Sequence, residues 1–585
     1  MTVTLTLTDS KITGCTAEGA DETQGIGTLA LEQLPGQIAE TGSIAVDGVS
    51  GATITSDAIK EAAAAALTAA GLNADDYKTA VEAENTKAED STIDADVAIV
   101  GAGGAGMTAA ITAAAEGKSV VILESQPMVG GNSVRATGGM NAGKTVYQDE
   151  NEFGESAGVE KTLKTAAEKY ADNETITALA KTVSEQWAAY QADPKGYFDS
   201  VELMELDTMI GGKGLNNPEL VETLCSNSAD AIDWLDEHGI TLHSVSSFGG
   251  ASVKRIHRPV DGDGKTVSVG SYMIPLLQEN CDKAGVQTLL NTTATEILTD
   301  ANGAAVGVKA TGASGETVTV NAKAVVLATG GFGANLDMVV EYKPELKGFM
   351  TTNAAGAQGQ GIEMATAIGA DTVDMDQIQI HPTVEANTAA LITEGLRGDG
   401  AVLINAEGKR FIDEVGTRDV VSAAEIAQTG SYSWLVVDQA MVDASSVIQG
   451  YIKKGYTVTG ETYEELGKAM GVDEAAFAET MNTWNGYVEA KNDPDFGRTS
   501  FANPLNTAPY YAIKVTAGVH HTMGGLKINT NTEVLKADGS VIPGLFAAGE
   551  VTGGVHGANR LGGNAVADFT VFGRIAGAAA SKYAA

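Results

Sequence analysis

Residues 96–124, DVAIVGAGGAGMTAAITAAAEGKSVVILE, decide the fold of this chain. The stretch opens with a short, mainly apolar segment over residues 96–100, which predicts a buried strand, and its small residues predict a helix from about Gly104 to Glu116. A second apolar run, residues 119–123, predicts the next strand. Strand, helix and strand in this order are typical of a parallel, doubly wound sheet, so we predict an α/β protein with a Rossmann-like domain.

The glycines between the first strand and the helix form a GxGxxG pattern at Gly101, Gly103 and Gly106. Gly101 allows a tight turn, Gly103 lets the backbone approach a pyrophosphate, and Gly106 permits close packing of the helix on the strand. Glu124 ends the following strand, at the position where a ribose hydroxyl would be bound. A glycine-rich turn without a ligand is the alternative, but the placement of Glu124 favours a dinucleotide site.

A lone GxGxxG pattern does not distinguish an FAD site from an NAD site, but further glycine-rich segments of the chain do. Residues 130–133 (GGNS) and 137–142 (TGGMNA) follow the ribose carboxylate closely and could wrap a second set of phosphates and a flavin ring. Residues 549–554 (GEVTGG) follow another predicted strand, in a pattern that often closes over FAD. The residues therefore favour FAD as the dinucleotide.

Composition excludes several classes of function. The 585 residues include 37 Lys and Arg against 76 Asp and Glu, a formal net charge of −39, whereas nucleic acids and anionic membranes require a basic surface. The three cysteines lie far apart without a CxxC or CxxCH, which excludes a c-type haem, a four-cysteine iron–sulfur cluster and a disulfide framework. No uninterrupted apolar run approaches the roughly 18 residues that span a bilayer.

From about Asp96 to the C-terminus, the chain resembles the soluble fumarate reductases, the flavocytochrome-c-like branch of the fumarate reductase and succinate dehydrogenase flavoproteins. The motifs that carry this resemblance occur in order along the chain: GGNSVRATGGMNA, IQIHP, ITEGLRGDGAVLINAEGKRF, GTRD, GVHHTMGG and HGANRLGGNA. In membrane-bound relatives, a histidine before the TGG-like segment holds FAD covalently. Residues 133–136 (SVRA) contain no histidine, so the resemblance implies non-covalent FAD.

The N-terminal unit carries a motif of its own. Residues 2–8 alternate between apolar and polar, which predicts a half-buried strand, and residues 56–72 predict an Ala-rich helix. Residues 47–53 (DGVSGAT) resemble the acceptor motif of FMN-binding domains, in which a flavin transferase joins the FMN phosphate to the last Thr hydroxyl. The resemblance implies covalent FMN, as a phosphoester of Thr53. A Ser or Thr helix cap in this segment is the alternative, and it can coexist with the attachment.

Together the motifs predict the domain organisation. We expect a small α+β FMN-binding domain, a linker, a Rossmann-like FAD-binding domain and an α+β clamp domain inserted into it. The predicted bounds are 1–78 for the FMN-binding domain, 79–94 for the linker, 95–375 and 521–585 for the FAD-binding domain, and 376–520 for the clamp. The clamp would close over the substrate and exclude water.

Reduction of an enoate needs a hydride donor, a proton donor on the opposite face and cations that stabilise charge on the carboxylate. Carried over by position, the resemblance implies that Arg418, in the GTRD motif, is the proton donor. An arginine is normally always protonated, so it needs rapid reprotonation, and Glu394 and Arg397 match such a relay. Their i, i+3 spacing lets both side chains point the same way. The alternative for Arg418 is a structural ion pair with Asp419 or Glu414.

The same resemblance implies which groups bind substrate and cofactor. Arg560 with His520, and His381 with Thr393, match two carboxylate clamps, because an arginine can bind two carboxylate oxygens at once. The predicted substrate-binding residues are His381, Thr393, His520, Arg560, Gly138, Gly563, Gln379 and Phe248. The predicted FAD-binding residues are Gly101, Gly103, Ala105, Gly106, Glu124, Gly131, Asn132, Ser133, Thr137, Gly138, Gly139, Ala294, Thr329, Gly330, Gln360, His521, Glu550, Ala565 and Val566. No histidine or cysteine spacing supports a metal site.

The resemblance implies a two-flavin oxidoreductase that reduces the C=C bond of an unsaturated dicarboxylate, with fumarate to succinate as the leading reaction. Hydride would come from FAD N5, the proton from Arg418, and the electrons through FMN. Other enoates (urocanate, an acrylate derivative, itaconate or mesaconate) stay open, because Phe248 and Leu391 stand where relatives often have Met. His381 and Glu394, which urocanate reductases replace, favour a second carboxylate. A non-enzymatic flavin electron carrier and, more weakly, a flavin oxidase are the remaining alternatives.

The proposed two-flavin reductase implies a set of partners. They are a small dicarboxylate substrate, an FMN transferase for maturation and an external electron donor from a membrane or extracellular flavin or quinone chain, with no nucleic acid and no haem.

Met1 leads directly into the alternating segment, without a signal peptide. We expect an extracytoplasmic location, at the cell surface or secreted, with a leader absent from this chain, and a cytoplasmic location is the alternative.

Overall fold

The structure is a computed structural model that describes residues 1–19, 22, 27–49, 53–78 and 87–585. Its first part is a small α+β unit of four elements: β1 (Thr2–Thr8), β2 (Lys11–Glu18), α1 (Gly27–Thr41) and α2 (Thr53–Ala69). β1 and β2 form an antiparallel hairpin, and the helices pack on it through a core that includes Leu34, Ile38 and Ile59. Burial alternates along β1, which confirms the predicted half-buried strand.

The other elements follow in chain order. Residues 87–375 contain the strands β3 (Ser91–Val100), β4 (Val120–Leu123), β5 (Met140–Asn141), β6 (Ser244–Ser246), β7 (Ile256–Arg258), β8 (Gln287–Leu289), β9 (Thr293–Thr299), β10 (Ala305–Thr311), β11 (Thr317–Leu327) and β12 (Thr372–Val373). Their helices are α3 (Gly104–Ala115), α4 (Ser156–Lys169), α5 (Glu174–Ala192), α6 (Val201–Gly211), α7 (Pro218–Ser226), α8 (Ser228–Glu237), α9 (Val269–Lys283), α10 (Leu336–Tyr342) and α11 (Gln360–Ala367). The next strands are β13 (Ile378–Glu385), β14 (Val402–Ile404), β15 (Ser433–Asp438), β16 (Thr457–Gly460) and β17 (Tyr510–Thr522), with the helices α12 (Gly395–Gly398), α13 (Arg418–Ile426), α14 (Gln439–Ala444), α15 (Ser446–Lys453), α16 (Tyr463–Met470) and α17 (Glu474–Ala490). The chain ends with β18 (Gly525–Leu526), β19 (Glu533–Leu535), β20 (Val541–Ala547) and α18 (Asn564–Tyr583).

The central sheet has the strand order β19-β20-β11-β3-β4-β8, and β10 pairs with both β11 and β9. The strands from β20 to β8 are parallel, as the strand–helix–strand pattern predicts. α3 and α18 pack together against this sheet, and Gly577 permits their close approach, since an added Cβ would lie 2.4 Å from the Ala109 carbonyl oxygen. The predicted α/β class, with its Rossmann-like sheet and its small N-terminal α+β unit, is confirmed.

The second sheet is antiparallel, with the strand order β14-β15-β17-β13 and β16 alongside β17. β17 pairs with β15 and β16 through its first half and with β13 through its second half, so it reaches the central cleft at His520 and His521. The predicted clamp boundary at residue 520 falls inside this strand. The predicted linker 79–94 overlaps β3, because residues 91–94 pair with β11, and residues 79–86 lie outside the described part.

Among the described residues, no helix combines the length and the apolarity that crossing a bilayer requires.

Candidate active site

A cleft opens where the C-terminal ends of β3, β4 and β11 approach the second sheet. It encloses about 1600 Å³ including its open mouth, and residues of both sheets line it. In doubly wound folds, ligands bind outside the carboxyl ends of the parallel strands, so this is the expected place for a dinucleotide. Its lining includes both the glycine turn and a separate group of polar side chains, so it offers distinct places for a cofactor and a substrate.

The glycine turn, residues 101–106, forms one part of the cleft lining. An added Cβ on Gly106 would lie 1.9 Å from the carbonyl oxygen of Gly101. One on Gly101, whose φ is +106°, would lie 2.3 Å from the carbonyl oxygen of Ala328. Gly103 faces the cleft itself, where an added Cβ would come no closer than 3.7 Å to any protein atom. The turn therefore brings the N-terminus of α3, with its free N–H groups, to the cleft, which suits a pyrophosphate.

Glu124 follows β4 and is buried beside the glycine turn. Its carboxylate accepts hydrogen bonds from the backbone N–H groups of Ala102, at 2.8 Å, and Gln126, at 2.9 Å. Burial raises the pKa of this carboxyl, although these hydrogen bonds act in the opposite direction. Because Glu124 also lines the cleft, it can accept a hydrogen bond from a ribose hydroxyl.

Most of the predicted FAD-binding residues meet at this cleft. Those that line it are Gly101, Gly103, Ala105, Glu124, Gly131, Asn132, Ser133, Thr137, Gly138, Gly139, Ala294, Thr329, Gly330, Gln360, His521, Glu550, Ala565 and Val566. Gly106 lies beneath the turn instead, packed against Gly101. A turn that excludes side chains, an open helix N-terminus and a buried carboxylate are the groups that a dinucleotide requires, so the residues present fit FAD.

His521 and Glu550 form a buried pair in the same cleft. Nδ1 of His521 lies 3.3 Å from a carboxylate oxygen of Glu550, whose other oxygen accepts the backbone N–H of Thr522 at 3.0 Å. Burial lowers the pKa of His521 to about 4, against the opposing effect of Glu550, so the imidazole is neutral at pH 7. Nε2 of His521 has no hydrogen-bond partner among the described residues, and it remains available to a ligand.

Arg418, Glu394 and Arg397 form a continuous buried chain of charges. Arg418 donates from Nε to Glu394 at 2.8 Å and from a terminal nitrogen to the same oxygen at 2.5 Å. Arg397 donates to the other oxygen of Glu394 at 2.8 Å. Burial raises the pKa of Glu394, but the charges of Arg418 and Arg397 outweigh it and hold the pKa below its usual value. Glu394 therefore links the two guanidinium groups as a carboxylate.

This chain of charges reaches the cleft at one end only. Arg418 and Glu394 line the cleft, whereas Arg397 lies behind Glu394 and is 1% exposed. Arg418 begins α13, and Glu394 and Arg397 belong to the tight turn at α12, so two separate elements create the contact. The predicted alternative, an ion pair of Arg418 with Asp419 or Glu414, does not form, because Asp419 pairs with Lys213 and Glu414 with Arg410 and Arg498.

Gln379 and Thr393 lie just outside the cleft lining. The amide oxygen of Gln379 accepts from Arg418 at 2.9 Å, and its nitrogen donates to the carbonyl oxygen of Arg560 at 2.7 Å. Gln379 thus holds the two arginines in a fixed relation. The Thr393 hydroxyl accepts the N–H of Gly395 at 3.2 Å, within the turn that carries Glu394. Both residues act on the site through their neighbours in this structure.

His381 and His520 stand side by side at the cleft, with ring centroids 4.9 Å apart. Nδ1 of His381 accepts the backbone N–H of Thr383 at 3.1 Å, which places the proton of the neutral ring on Nε2. Nδ1 of His520 lies 2.7 Å from the Thr352 hydroxyl. Burial and the positive charge of Arg418 hold the pKa of both rings well below the usual value. Both imidazoles are therefore neutral hydrogen-bonding groups.

Arg560 completes the polar lining. It is 3% exposed, and it donates to the carbonyl oxygen of Leu561 at 2.9 Å. Its Nε has no hydrogen-bond partner among the described residues, although it is buried. Burial, together with the charge of Arg418, lowers the pKa of Arg560 to about 9. Two arginines this close repel each other, so a bound carboxylate would relieve an existing strain. We refer to Arg418, Glu394, Arg397, His381, His520 and Arg560 as the charged cluster.

Phe248 lies in the cleft beside Glu394 of the charged cluster. It is buried and lines the cleft, together with the predicted substrate-binding residues Gly138 and Gly563. A Cβ on Gly138 would lie 2.9 Å from the Phe248 ring, and one on Gly562 would lie 2.1 Å from it. The ring is therefore held between two backbone segments, and its size limits the space beside Glu394.

Sequence reasoning missed the support behind Arg397. Arg397 donates to the backbone oxygen of Glu414 at 2.6 Å, and Arg498 donates to the backbone oxygen of Arg397 at 2.7 Å. The Glu414 carboxylate binds Arg410 at 2.7 Å and Arg498 at 3.1 Å. Arg498 lies about 100 residues after Arg397 in the chain, and no local sequence pattern marks it as a partner of Arg397.

Two predictions lie beyond this site. The predicted FMN attachment is to the side chain of Thr53, which lies outside the described residues, as do residues 50–52 of its motif. The described residues contain no group of three or more His, Cys, Asp or Glu side chains that could hold a metal ion.

Comparisons with known proteins match both parts of the chain. The family model described as FAD binding domain matches residues 96–193 and 186–566, and the one described as FMN-binding domain matches residues 1–68. A solved structure, the open conformation of a flavocytochrome c3 fumarate reductase, has a TM-score of 0.63 and 38% identity, covering 84% of this chain and 79% of that chain.

Two curated relatives are similar over most of this chain. An NADH:fumarate oxidoreductase of Klebsiella pneumoniae (strain 342) is 41% identical over 558 residues, which is 95% of this chain and 54% of the relative. A fumarate reductase (cytochrome) of Shewanella frigidimarina is 42% identical over 488 residues, which is 83% of this chain and 77% of the relative. The chain thus spans about half of the first relative and three quarters of the second.

Proposed function

Since the chain belongs to the FAD-binding flavoprotein family of the soluble fumarate reductases, we propose that it reduces the C=C bond of an unsaturated dicarboxylate, with fumarate as the principal substrate. The observation that carries this proposal is the contact of Arg418 with Glu394 at a cleft that also holds His381, His520 and Arg560. An electron carrier would not need a buried proton donor at its flavin cleft. The relatives named as fumarate reductases support the same choice of substrate.

The charged cluster suits a dianion with its carboxylates at two ends. Arg560 retains free donors for one carboxylate, and His520 lies beside it. His381, protonated at Nε2, offers a hydrogen bond to the other carboxylate. Because both imidazoles are neutral, the positive charge of the site is on the guanidinium groups. Neither imidazole has to change its protonation state when the dianion binds.

The proton is supplied by Arg418. Its guanidinium lines the cleft and donates to Glu394, so the proton that it gives to the substrate carbon can be replaced through the Glu394 carboxylate from Arg397. The two arginines and Glu394 are buried, which keeps bulk water from competing for the transfer. When bound, FAD and FMN supply the electrons, and FAD supplies the hydride. Gln379 keeps Arg418 and Arg560 in register across the substrate.

We also propose the finer points that accompany this function. FMN is joined to Thr53 by a flavin transferase, the electrons come from an external donor chain, and the protein works outside the cytoplasm. The match of the FMN-binding domain to residues 1–68 supports the first point. Intact-mass measurement of protein made with and without a flavin transferase tests it: wild type should gain one FMN per chain, and Thr53→Ala none. An FMN adduct on the Thr53→Ala variant would show that FMN is attached to a residue other than Thr53.

The reaction is tested by anaerobic oxidation of a reduced viologen dye with fumarate, then with urocanate, acrylate, mesaconate and itaconate. We expect fumarate turnover that falls at least about 1000-fold in Arg418→Ala. Arg574→Ala is the matched control, because Arg574 lies against Trp234, away from the cleft, and should keep wild-type rates. If the protein reduces another of these enoates but not fumarate, that enoate replaces fumarate as the proposed substrate. If the flavin-loaded protein reduces none of them, the reductase proposal is wrong.

A further inference from the structure

Arg258 is a buried arginine that the proposed reaction leaves without a role. It ends β7 and is 3% exposed. β7 pairs with β5, which lies in the segment of residues 137–142 that is predicted to bind FAD. The stem of Arg258 packs directly on this segment, since a Cβ added at Gly139 would lie 2.9 Å from Cγ of Arg258. Arg258 is therefore anchored beside the segment of residues 137–142, which we call the FAD segment.

The guanidinium of Arg258 contacts the turn of residues 394–399, which we call the relay turn. Its Nη1 donates to both carboxylate oxygens of Asp399, at 3.0 and 3.1 Å. Its Nη2 lies against Gly395, where an added Cβ would come within 2.8 Å of it. The backbone N–H of Asp399 donates to the carbonyl oxygen of Gly395 at 2.7 Å, across the turn. Arg258 thus contacts both ends of the relay turn.

The relay turn carries two of the three groups that supply the proton. Glu394 directly precedes α12, and Arg397 lies within it. The backbone N–H of Arg397 donates to the carbonyl oxygen of Glu394 at 3.0 Å, so the two residues keep a fixed relation to each other. A shift of the turn away from Arg258 would therefore move both residues together, relative to the FAD segment.

Other side chains hold the relay turn from the opposite direction. Arg498 donates to the carbonyl oxygen of Arg397 at 2.7 Å, and the Tyr451 hydroxyl accepts the backbone N–H of Thr393 at 2.9 Å. Arg498 and Tyr451 both belong to the chain between β15 and β17, on the side of the second sheet. Arg258 comes from β7 instead, so its ion pair with Asp399 connects the relay turn to the FAD segment.

We propose that Arg258 is a positioning residue for proton delivery, because its contacts with Asp399 and Gly395 hold the relay turn in a fixed place relative to the FAD segment. This inference rests on the proposed reductase function. Hydride and proton reach the C=C bond from different groups, so the rate depends on how accurately those groups are placed relative to each other. Arg258 lies behind the cleft lining and transfers no proton itself.

Removal of the guanidinium tests this role through the ratio of kcat to KM effects. Arg258→Met keeps an apolar stem against Gly139, and the Asp399 carboxylate, which is 34% exposed, stays hydrated, so the protein should fold and bind FAD. We expect kcat for fumarate to fall about 10- to 100-fold, with KM within about threefold, because the carboxylate-binding residues do not belong to the relay turn. Arg258→Lys should restore part of the rate, since an ammonium group can still pair with Asp399.

The solvent isotope effect distinguishes positioning from a general loss of structure. The ratio of kcat in H2O to kcat in D2O should be larger in Arg258→Met than in wild type, because proton transfer then limits the rate more strongly. Arg574→Ala is the control, since Arg574 lies against Trp234, away from the cleft, and it should keep the wild-type ratio. A wild-type kcat or a wild-type isotope effect in Arg258→Met would overturn the proposal.

Gly395→Ala tests the same contact without a change of charge. The new Cβ would lie 2.8 Å from Nη2 of Arg258, which is the movable end of a side chain, and 3.4 Å from the Thr393 hydroxyl, so the protein should fold with the guanidinium displaced. We expect kcat to fall at least about fivefold in this variant, but less than about twofold further when Gly395→Ala is added to Arg258→Met. An equal loss in both backgrounds would overturn the proposal, because Gly395 would then act independently of Arg258.

Hydrogen–deuterium exchange separates this proposal from the reductase function. In the flavin-loaded protein, the amides of Arg397 and Asp399 are hydrogen-bonded within the relay turn. Peptides that cover the turn should exchange at least about 10-fold faster in Arg258→Met than in wild type, whereas peptides from α3 should not change. Unchanged exchange in the turn would overturn the positioning role even if fumarate is reduced. Inactivity of wild type toward every enoate would overturn the reductase function, whatever the exchange result.

Discussion

The glycine turn and the charged cluster line the same cleft but are built in opposite ways. The turn is one continuous segment, residues 101–106, in which missing side chains create the site. The cluster brings together side chains from β13, α12, α13, β17 and the loop before α18, and its ions are buried. The turn is therefore sensitive to a Cβ added at Gly101 or Gly106, whereas the cluster is sensitive to the loss of a charge. A small substitution in the turn should therefore impair folding and FAD binding through a steric clash, whereas one in the cluster should impair activity and stability through a lost charge.

The largest effect is expected from an added methyl group in the glycine turn. In Gly106→Ala, the new Cβ would lie 1.9 Å from the backbone oxygen of Gly101, so α3 must move away from β3. We expect little folded protein and no bound FAD, measured by flavin absorbance after gel filtration. Gly486→Ala is the control: Gly486 lies in α17 with open space around its Cβ position, so the change should be neutral or stabilise by about 0.5–1 kcal/mol. Normal FAD content in Gly106→Ala would show that FAD binding does not require the close packing of α3 on β3 at this glycine.

The next effect is expected from removal of the central charge. In Glu394→Gln, two buried guanidinium groups lose their shared carboxylate, so the free energy of unfolding should fall by about 3–5 kcal/mol. Fumarate turnover should fall about 1000-fold, because the amide cannot pass a proton to Arg418. Urea unfolding and the viologen assay measure the two effects. Exposed Glu464, on α16, provides Glu464→Gln as a control that should change neither. A Glu394→Gln protein with normal turnover would show that Arg418 is fed by another route.

A smaller effect should come from a buried histidine beneath the cleft floor. The ring of His257 contacts the Thr145 hydroxyl at 2.7 Å, and burial lowers its pKa to about 4. Between about pH 6.5 and about pH 4, the unfolded chain binds a proton that the folded chain does not, so stability rises with pH in this range. His257 alone should cost about 2 kcal/mol of stability on going from pH 7 to pH 5. His257→Gln should flatten the pH dependence of the unfolding free energy by this amount, and an equal slope in both proteins would contradict a neutral His257.

The smallest effect is expected at Phe248, an apolar side chain beside the charged cluster. Phe248 lies between Gly138 and Gly562 and lines the cleft beside Glu394. Phe248→Met keeps the apolar volume but gives a more flexible side chain. We expect kcat for fumarate to stay within about threefold, and the KM values for fumarate and mesaconate to change by different factors, up to about 10-fold. Equal KM changes for both substrates would show that Phe248 does not select among them.

Local pattern predicted the glycine turn and its neighbours well. The helix expected from about Gly104 to Glu116 is α3 (Gly104–Ala115), and the run at residues 119–123 is β4 (Val120–Leu123). These elements are readable because their burial and turn geometry depend on consecutive residues. The predicted start of the first strand was less accurate, since β3 begins at Ser91, where its polar residues pair with β11.

The charged cluster was accessible only through the family resemblance, because its residues lie far apart in the chain. Even so, the resemblance did not reveal the contacts of Gln379 with both arginines, the Arg498 contact with Arg397 or the Arg258 contact with Asp399. These depend on the register of β13 with β17 and on the packing of β7 against the turn at α12. Neither can be read from composition or from motif spacing, since both are set by tertiary packing.

In the proposed reaction, Arg418 delivers the proton that completes the reduction of fumarate. The most direct measurement is a single-turnover, stopped-flow experiment, in which flavin-loaded protein is reduced anaerobically and mixed with fumarate. We predict reoxidation of the flavin in wild type at a rate at least about 100-fold higher than in Arg418→Ala, with similar fumarate affinity and one succinate formed per oxidised FAD. Equal reoxidation rates in the two proteins would show that Arg418 is not the proton donor, and wild-type flavin that fumarate does not reoxidise would show that fumarate is not the substrate.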